Sequence, residues 1–265
     1  AAGASVKRGD LEDLDGLRRA ALAADGVIHL AFTNVSPTTD FAAAAQADLR
    51  AVQTMGAALE NSGKPFVNTA GTLMLAMLGL GRPGTEEDVS NPALPRVASE
   101  NESIVLAERG VRSSVIRLAP TVHSDADKHG FVPSLIKIAR VKGVSAYVGD
   151  GSNRWPAVHQ VDAARLYRLA LEGAPAGSRL HGVGEEGVPF REIAKAIGRH
   201  LNLPVVSIAA EQAGDHFSFL SAFVALDNPT SNALTRQRLG WRPEGPALIV
   251  DIEQGHYFQT YELMS

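Results

Sequence analysis

Short apolar runs typical of buried strands alternate with longer runs of helical periodicity along most of this chain. The clearest strand runs are residues 26–32, 65–71 and 111–120. Between and after them, apolar residues recur every ~3.6 positions, which predicts helices. The predicted helices cover residues 11–24, 40–63, 99–110, 131–143, 161–173 and 190–202. This strand–helix alternation predicts an α/β fold with a doubly wound parallel sheet.

The ends of these elements carry their own signals. Residues 4–10 (ASVKRGD) are predicted to form a further strand. Asp10 at its exit either faces a ligand or caps the helix that follows. Ser99, with Glu102 three residues later, predicts an N-cap. Gly63 is predicted to end the helix that starts at residue 40.

Composition excludes several classes of protein. The chain has no cysteine, so disulfides, thiolate nucleophiles and cysteine metal ligands are excluded. A formal net charge of -4 offers no electrostatic basis for binding nucleic acid or an anionic membrane. No apolar run approaches the ~20 residues of a membrane span, and no signal peptide is visible, so a cytoplasmic protein is expected. The eight histidines lack metal-ligand spacing, so no metal site is predicted.

The hexapeptide GLGRPG at residues 79–84 has the spacing of a dinucleotide-binding glycine loop. Such a loop follows a strand and opens a helix whose N-terminus faces the pyrophosphate. Here the loop contains Pro83, and the segment after it, TEEDVSNPALP, has two more prolines and no helical stripe. Glu86 and its acidic neighbours would also repel phosphate. A surface loop is therefore predicted.

Ligands bind at the carboxyl ends of the strands in such sheets, so the residues that follow each strand matter most. Several stretches at these positions occur in a recognisable order: GDLEDLDGL, DGVIHLAF, PFVNTAGT, GVRSSVIRLAPTVH, YVGDGSNRWPAVHQVDAARLY, LGWRP and DIEQGHYF. Together they resemble the extended and atypical short-chain dehydrogenase/reductases, the NAD-dependent epimerase/dehydratase group. The resemblance spans almost the whole chain and implies one Rossmann-type domain over 1–265. Within it, residues 1–120 would form a dinucleotide-binding part and residues 121–265 a small, mixed region that contributes the substrate cleft.

The resemblance also implies a cofactor, NAD or NADP, and positions that hold it. The implied cofactor-binding residues are Asp10, Leu11, Ala31, Phe32, Ala119, Pro120 and Thr121. Trp155 and Val132 are expected to line the substrate, and the stretch from Trp155 to Asp162 to border the cleft.

Two features depart from the family pattern. The chain begins where the family's third strand is expected, so we expect a sheet truncated at its N-terminal edge, without the glycine-rich loop. The family's Tyr-x-x-x-Lys motif is also missing; Arg96 and Glu100 stand in its place, and a plain ion pair between them is the alternative to a catalytic pair. The candidate catalytic residues are therefore Thr69, Thr72, Arg96, His123 and His159. Threonine can donate a hydrogen bond, arginine can stabilise an oxyanion, and histidine titrates near neutrality.

The function that the resemblance implies is an NAD(P)-linked oxidoreductase or epimerase-like protein acting on a small carbonyl or alcohol. One alternative is a cofactor-independent esterase on the same cleft, with Ser99 or the Ser134–Lys137 pair supplying the nucleophile. Another is a non-catalytic binding protein. An open sheet edge would also allow two copies to pair as a homodimer.

Overall fold

The computed structural model describes residues 3–33, 39–94 and 96–259. Its strands are β1 (Val27–His29), β2 (Pro65–Gly71), β3 (Arg112–Leu118), β4 (Thr121–His123), β5 (Ser145–Val148), β6 (Arg154–His159), β7 (Ser178–Gly182), β8 (Glu185–Pro189) and β9 (Val205–Ile208). Its α-helices are α1 (Leu14–Ala23), α2 (Phe41–Leu59), α3 (Leu73–Ala76), α4 (Val97–Val105), α5 (Phe131–Lys142), α6 (Gln160–Gly173), α7 (Phe190–Leu201), α8 (Ala213–Phe217), α9 (Ala233–Leu239) and α10 (Leu248–Glu253).

Parallel pairing dominates the sheets. Strands β1, β2, β3 and β7 form a four-stranded sheet in the order β1-β2-β3-β7. Strands β4, β6 and β8 form a second sheet, and β5 pairs with β9. The pairs β1–β2, β4–β6 and β5–β9 are parallel, whereas β6–β8 is antiparallel. Parallel strands joined through helices are the hallmark of α/β folds, so the predicted fold class is confirmed.

The chain divides into two compact units. Unit 1 consists of Ala1–Ala70, Asn91–Val115 and Ala170–Arg179, and unit 2 of Gly71–Ser90, Ile116–Leu169 and Leu180–Ser265. The core of unit 1 is built from Ala21, Ala51, Val52, Met55, Leu59, Phe66, Leu106 and Val111. The core of unit 2 is richer in aromatic residues, with Trp155, Phe190 and Phe217 at its centre. The predicted boundary at residue 120 stays a prediction.

The strongest helical patterns are confirmed. Helices α2, α5, α6 and α7 lie within or almost within the predicted ranges. Helix α2 begins after Asp40, whose carboxylate accepts a hydrogen bond from Ala43 N–H at 3.0 Å. It ends at Leu59, before the predicted stop at Gly63. Asn61 takes the left-handed conformation first, at φ 57°, and Asn is among the few residues that tolerate it.

The predicted strand over residues 4–10 is wrong. These residues belong to none of the sheets in the described part of the chain, and their side chains are exposed. A strand is stabilised by a neighbour that takes its hydrogen bonds and covers one of its faces. Residues 4–10 have neither, so local β propensity alone does not form a strand here.

The cap alternative for Asp10 and the cap prediction for Ser99 are both wrong. Helix α1 is capped by Asp13, whose carboxylate accepts from Gly16 N–H at 2.9 Å, and not by Asp10. Ser99 lies inside helix α4, which begins at Val97, and its side chain is buried. Buried apolar contacts at Val97 extend the helix past the cap that the local sequence suggests.

Candidate functional site

A cleft in unit 1 brings together four of the predicted cofactor-binding residues. Its volume is about 620 Å³. Asp10 and Leu11 line it from the segment before α1, and Ala31 and Phe32 from the segment after β1. The remaining lining residues are Lys7, Gly9, Glu12, Leu17, Thr33 and Ala47. The cleft therefore lies where ligands bind in parallel sheets, at the carboxyl end of a strand.

A tight turn holds Asp10 at the rim of this cleft. Its Oδ1 accepts a hydrogen bond from Glu12 N–H at 2.7 Å, and its carbonyl accepts from Asp13 N–H at 3.2 Å. The Asp10 side chain is nevertheless exposed. One carboxylate oxygen thus stabilises the turn while the group as a whole faces solvent next to Leu11. This arrangement offers a ligand a fixed, charged acceptor beside an apolar surface.

Arg96 links the cleft wall to the end of β2. Its guanidinium carbon lies 3.9 Å from the centre of the Phe32 ring, a cation–π contact. Its Nη2 donates to the Thr69 carbonyl at 3.1 Å. The Thr69 hydroxyl in turn donates to the His29 carbonyl at 2.7 Å. Two of the predicted catalytic residues, Thr69 and Arg96, are therefore brought together beside a predicted cofactor residue.

Buried polar contacts support these strand ends in unit 1. The buried His29 ring bonds to the Asp48 carboxylate at 2.9 Å, Nε2 to Oδ1. The Asn68 amide donates to the Ser103 hydroxyl at 2.8 Å. Hydrogen bonds of this kind between buried side chains hold a backbone in one position. They explain why the residues that follow β1 and β2 present their side chains in a defined arrangement.

The other predicted residues lie in unit 2. Thr72 is buried, and its hydroxyl accepts from the Asn228 amide at 3.0 Å. Ala119 is buried and donates its N–H to the Gly182 carbonyl at 3.1 Å. Pro120 is half-buried, and Thr121 is buried in β4. Their predicted roles at the cofactor and the substrate stay predictions.

His123 and His159 meet edge to face, with ring centres 5.5 Å apart. His123 is buried, and its Nδ1 lies 2.9 Å from the Asp251 carboxylate. Burial lowers the pKa of His123, although the hydrogen bond to Asp251 acts in the opposite direction. The two predicted histidines therefore form one cluster whose buried member favours the neutral form.

Trp155 and Val132, predicted to line the substrate, lie in the apolar core of unit 2. Trp155 packs against Phe131 and Phe190, with ring centres 5.4 and 5.0 Å away. Both predicted residues are fully buried. Asp162 is also buried, and its carboxylate accepts from Gly245 N–H at 2.7 Å. These side chains help to hold unit 2 together, and a role at the substrate stays a prediction.

The residues considered for an esterase are engaged in helix contacts. Ser134 donates its hydroxyl to the Gly130 carbonyl at 2.8 Å in the first turn of α5. Ser99 is buried. Their use as a nucleophile stays a prediction for which these contacts supply no geometry.

Sequence reasoning missed some residues that line cavities. Thr33 directly follows Phe32, so its place in the cleft could have been inferred from the strand end. Arg154, Asp227 and Asn228 line a second cavity, in unit 2, together with the GLGRPG loop. Nothing local in the sequence signals that Arg154 and Asp227 meet, because 72 residues separate them.

Two further properties concern only residues 3–33, 39–94 and 96–259. No helix in these ranges is long and apolar enough to cross a membrane. No group of three or more histidine, cysteine, aspartate or glutamate side chains in the same ranges is arranged to hold a metal ion.

Comparison with known proteins yields relatives along almost the whole chain. No family model matches. The chain is 46% identical over 259 residues to the uncharacterized protein C2A9.02 of Schizosaccharomyces pombe, covering 97% of this chain and 86% of that protein. It is 41% identical over 255 residues to the uncharacterized protein YLL056C of Saccharomyces cerevisiae, covering 96% and 84%.

Solved structures share the fold at low sequence identity. A dTDP-glucose 4,6-dehydratase from Streptomyces venezuelae with NAD bound matches with a TM-score of 0.73 and 20% identity, over 94% of this chain and 78% of that one. RMD from Pseudomonas aeruginosa complexed with NADPH matches with a TM-score of 0.71 and 19% identity, over 95% and 87%. A UDP-glucose 4-epimerase from Thermotoga maritima with UDP-glucose matches with a TM-score of 0.73 and 17% identity, over 95% and 83%. The chain therefore belongs to the family of these two yeast proteins, and its fold is the Rossmann-type fold of the dehydratase and epimerase.

Proposed function

We propose that this chain binds NAD or NADP in the cleft of unit 1 and acts as an oxidoreductase or epimerase-like enzyme on a small carbonyl or alcohol. One observation carries the proposal. Asp10, Leu11, Ala31 and Phe32, which the family resemblance implies as cofactor residues, line a single cleft at the carboxyl end of β1. The fold is shared with solved proteins that carry NAD or NADPH.

The chemistry of the cleft fits the adenosine end of such a cofactor. Adenine has flat apolar faces and an amino group that donates hydrogen bonds. Leu11 and Leu17 supply apolar surface, and the exposed Asp10 carboxylate supplies a charged acceptor for the amino group. Lys7, at the same cleft, supplies a positive charge for a phosphate.

A bound nicotinamide would supply or accept a hydride, solvent water would supply or take up the proton, and the chain's own residues would stabilise the substrate oxygen. We assign to Arg96 the stabilisation of negative charge on that oxygen, because its guanidinium stays charged and carries several N–H donors. The Thr69 hydroxyl donates to the His29 carbonyl in the present arrangement. It must rotate to donate to a substrate, although its oxygen can accept a hydrogen bond without rotation.

The test is a titration of the 265-residue chain with NADH and with NADPH, followed by nucleotide fluorescence. We expect saturable binding in the micromolar range. Asp10→Asn should weaken it roughly tenfold, because an amide that still holds the Glu12 N–H turns its own NH₂ toward the adenine amino group. Asp15→Asn is the matched control, since it removes the same charge from the first turn of α1.

Two results would contradict the proposal. One is the absence of saturable binding of either nucleotide up to millimolar concentration. The other is an equal loss of affinity in Asp10→Asn and Asp15→Asn, which would mean that only the overall charge near α1 matters.

A further inference from the structure

The GLGRPG loop forms one wall of a cavity in unit 2. The cavity has a volume of about 350 Å³, near the lower end of the range of small-molecule sites. Backbone hydrogen bonds hold the loop against a distant segment: Gly84 N–H donates to the Pro229 carbonyl at 2.8 Å, and Ser231 N–H to the Gly84 carbonyl at 2.8 Å. Leu75, Arg154, Asp227 and Asn228 complete much of the lining, together with Ala76 and Pro229.

Two arginines line this cavity, and each is engaged by a carboxylate. Arg154 donates to Asp227 through Nε at 3.0 Å and through Nη2 at 2.8 Å. Arg82 donates to Asp88 through Nη1 at 2.7 Å and through Nη2 at 2.6 Å. Both pairs have the two-pronged geometry that phosphate would otherwise adopt on arginine. The charges of the arginines are therefore balanced inside the protein.

The pair of Arg154 and Asp227 is the one that a ligand would meet. The two side chains are 44% and 46% exposed, and both line the cavity. Asp227 Oδ1 also accepts from the backbone N–H of Arg154 at 2.7 Å, so the carboxylate is bonded to both the backbone and the side chain of Arg154. A phosphate would have to displace a tethered carboxylate and tolerate its charge nearby.

The rest of the lining suits uncharged oxygen groups. Asn228 is buried and donates to the hydroxyl of Thr72, a predicted catalytic residue. Leu75, Ala76 and Pro229 add apolar surface. Nη1 of Arg154 points away from the two-pronged contact and can donate to a carbonyl or hydroxyl oxygen.

We propose that this cavity binds an uncharged carbonyl or hydroxyl compound, and that Asp227 is the residue that sets this specificity by keeping Arg154 from phosphate-bearing ligands. The inference goes beyond the proposed function, because it assigns a ligand class to a cavity of unit 2 and does not depend on cofactor binding in the cleft of unit 1.

The test measures how much of the affinity for inorganic diphosphate depends on Arg154. Isothermal titration gives the Kd for diphosphate of four proteins. The first comparison is between the intact chain and Arg154→Gln. The second is between Asp227→Asn and the double variant that carries both Asp227→Asn and Arg154→Gln. We expect no dependence on Arg154 in the intact chain and a roughly tenfold dependence when Asp227 is Asn. Asn retains an oxygen for the Arg154 N–H, so the local backbone is preserved.

Asp215→Asn is the charge-matched control, since it removes one exposed carboxylate from α8, outside the cavity lining. Asp88→Asn is a second variant that frees Arg82 in the same way. The inference is overturned if Arg154→Gln weakens diphosphate binding in the intact chain. It is equally overturned if Asp227→Asn shows no Arg154-dependent affinity, or only the change seen with Asp215→Asn.

Failure of this inference is distinguishable from failure of the proposed function. Diphosphate that binds in the cleft of unit 1 is not affected by Arg154→Gln, so only the Arg154-dependent part of the binding reports on this cavity. NADH binding that depends on Asp10, together with Arg154-dependent diphosphate binding in the intact chain, would leave the cofactor proposal in place and overturn this inference.

Discussion

Asp10 and Asp13 lie three residues apart and hold different parts of the same turn. Asp10 Oδ1 accepts from Glu12 N–H, and Asp13 Oδ1 accepts from Gly16 N–H at the start of α1. Only Asp13 satisfies a free N–H of the helix, whereas Asp10 lines the cleft. Asp13 caps the helix, so Asp10 is not needed for that purpose and its carboxylate can contact a ligand in the cleft.

The first prediction concerns the cap of α1, which Asp13 alone provides. Asp13→Ala should lower the free energy of unfolding by ~1 kcal/mol, because Gly16 N–H loses its acceptor. Asp15→Ala, in the same turn, should lower it by only a few tenths. Urea unfolding followed by circular dichroism measures both, and amide hydrogen exchange at Gly16 should accelerate only in Asp13→Ala. Equal losses in the two variants would show that the cap contributes nothing.

At the scale of elements, helix α7 packs so closely against Val205 and Leu203 that its residue 198 has to be glycine. A Cβ built on Gly198 would lie 2.4 Å from Val205 Cγ2 and 3.2 Å from the Leu203 carbonyl oxygen. Gly173, the last residue of α6, has no neighbouring atom within 4 Å of the corresponding position. Two glycines in helices thus have opposite surroundings.

Alanine should therefore have opposite effects at these two positions. Gly198→Ala should lower the free energy of unfolding by ~1–3 kcal/mol, since Val205 or the backbone at Leu203 must move. Gly173→Ala should change it by less than ~0.5 kcal/mol or raise it slightly. Denaturant unfolding of the two variants is the measurement. A stable Gly198→Ala variant would mean that the contact between α7 and β9 is looser than described.

At the scale of the whole molecule, the buried histidine cluster makes stability depend on pH. The folded state holds the pKa of His123 below its ordinary value of 6.5, because burial disfavours the charged ring. As the pH falls through about 6.5, the unfolded chain takes up a proton that the folded chain does not. The free energy of unfolding therefore decreases, by up to ~1.4 kcal/mol per pH unit for this one group. The negative charges of Asp251 and Glu185 raise the pKa of His123 and so oppose this effect, whereas His159 lowers that pKa further.

His123→Asn should flatten this pH dependence. The Asn amide can stand where Nδ1 contacts Asp251, but it does not titrate. His129→Asn is the control, because His129 is exposed in the same segment. Unfolding curves between pH 7.5 and pH 5.5 provide the measurement, and those limits bracket the ordinary pKa of histidine at roughly one unit on either side. A slope in His123→Asn equal to that of the intact chain would assign the effect to other groups.

The sequence by itself determined the fold class and most long helices, because the apolar periodicity of α2, α5, α6 and α7 is local and strong. The family resemblance also pointed to Asp10, Leu11, Ala31 and Phe32, which line a single cleft; their role at a cofactor stays a prediction. The sequence did not determine whether residues 4–10 pair as a strand, because pairing needs a neighbour that only the fold provides.

Contacts between residues far apart in the chain were decided by the tertiary structure alone. Arg96 reaches Phe32 and Thr69, and Asp227 neutralises Arg154. No local pattern encodes such pairs, since charge and hydrogen bonding act through space and the fold sets which side chains meet. Burial is decided in the same way: Trp155 belongs to an apolar core because Phe131 and Phe190 surround it, whatever its neighbours in sequence indicate.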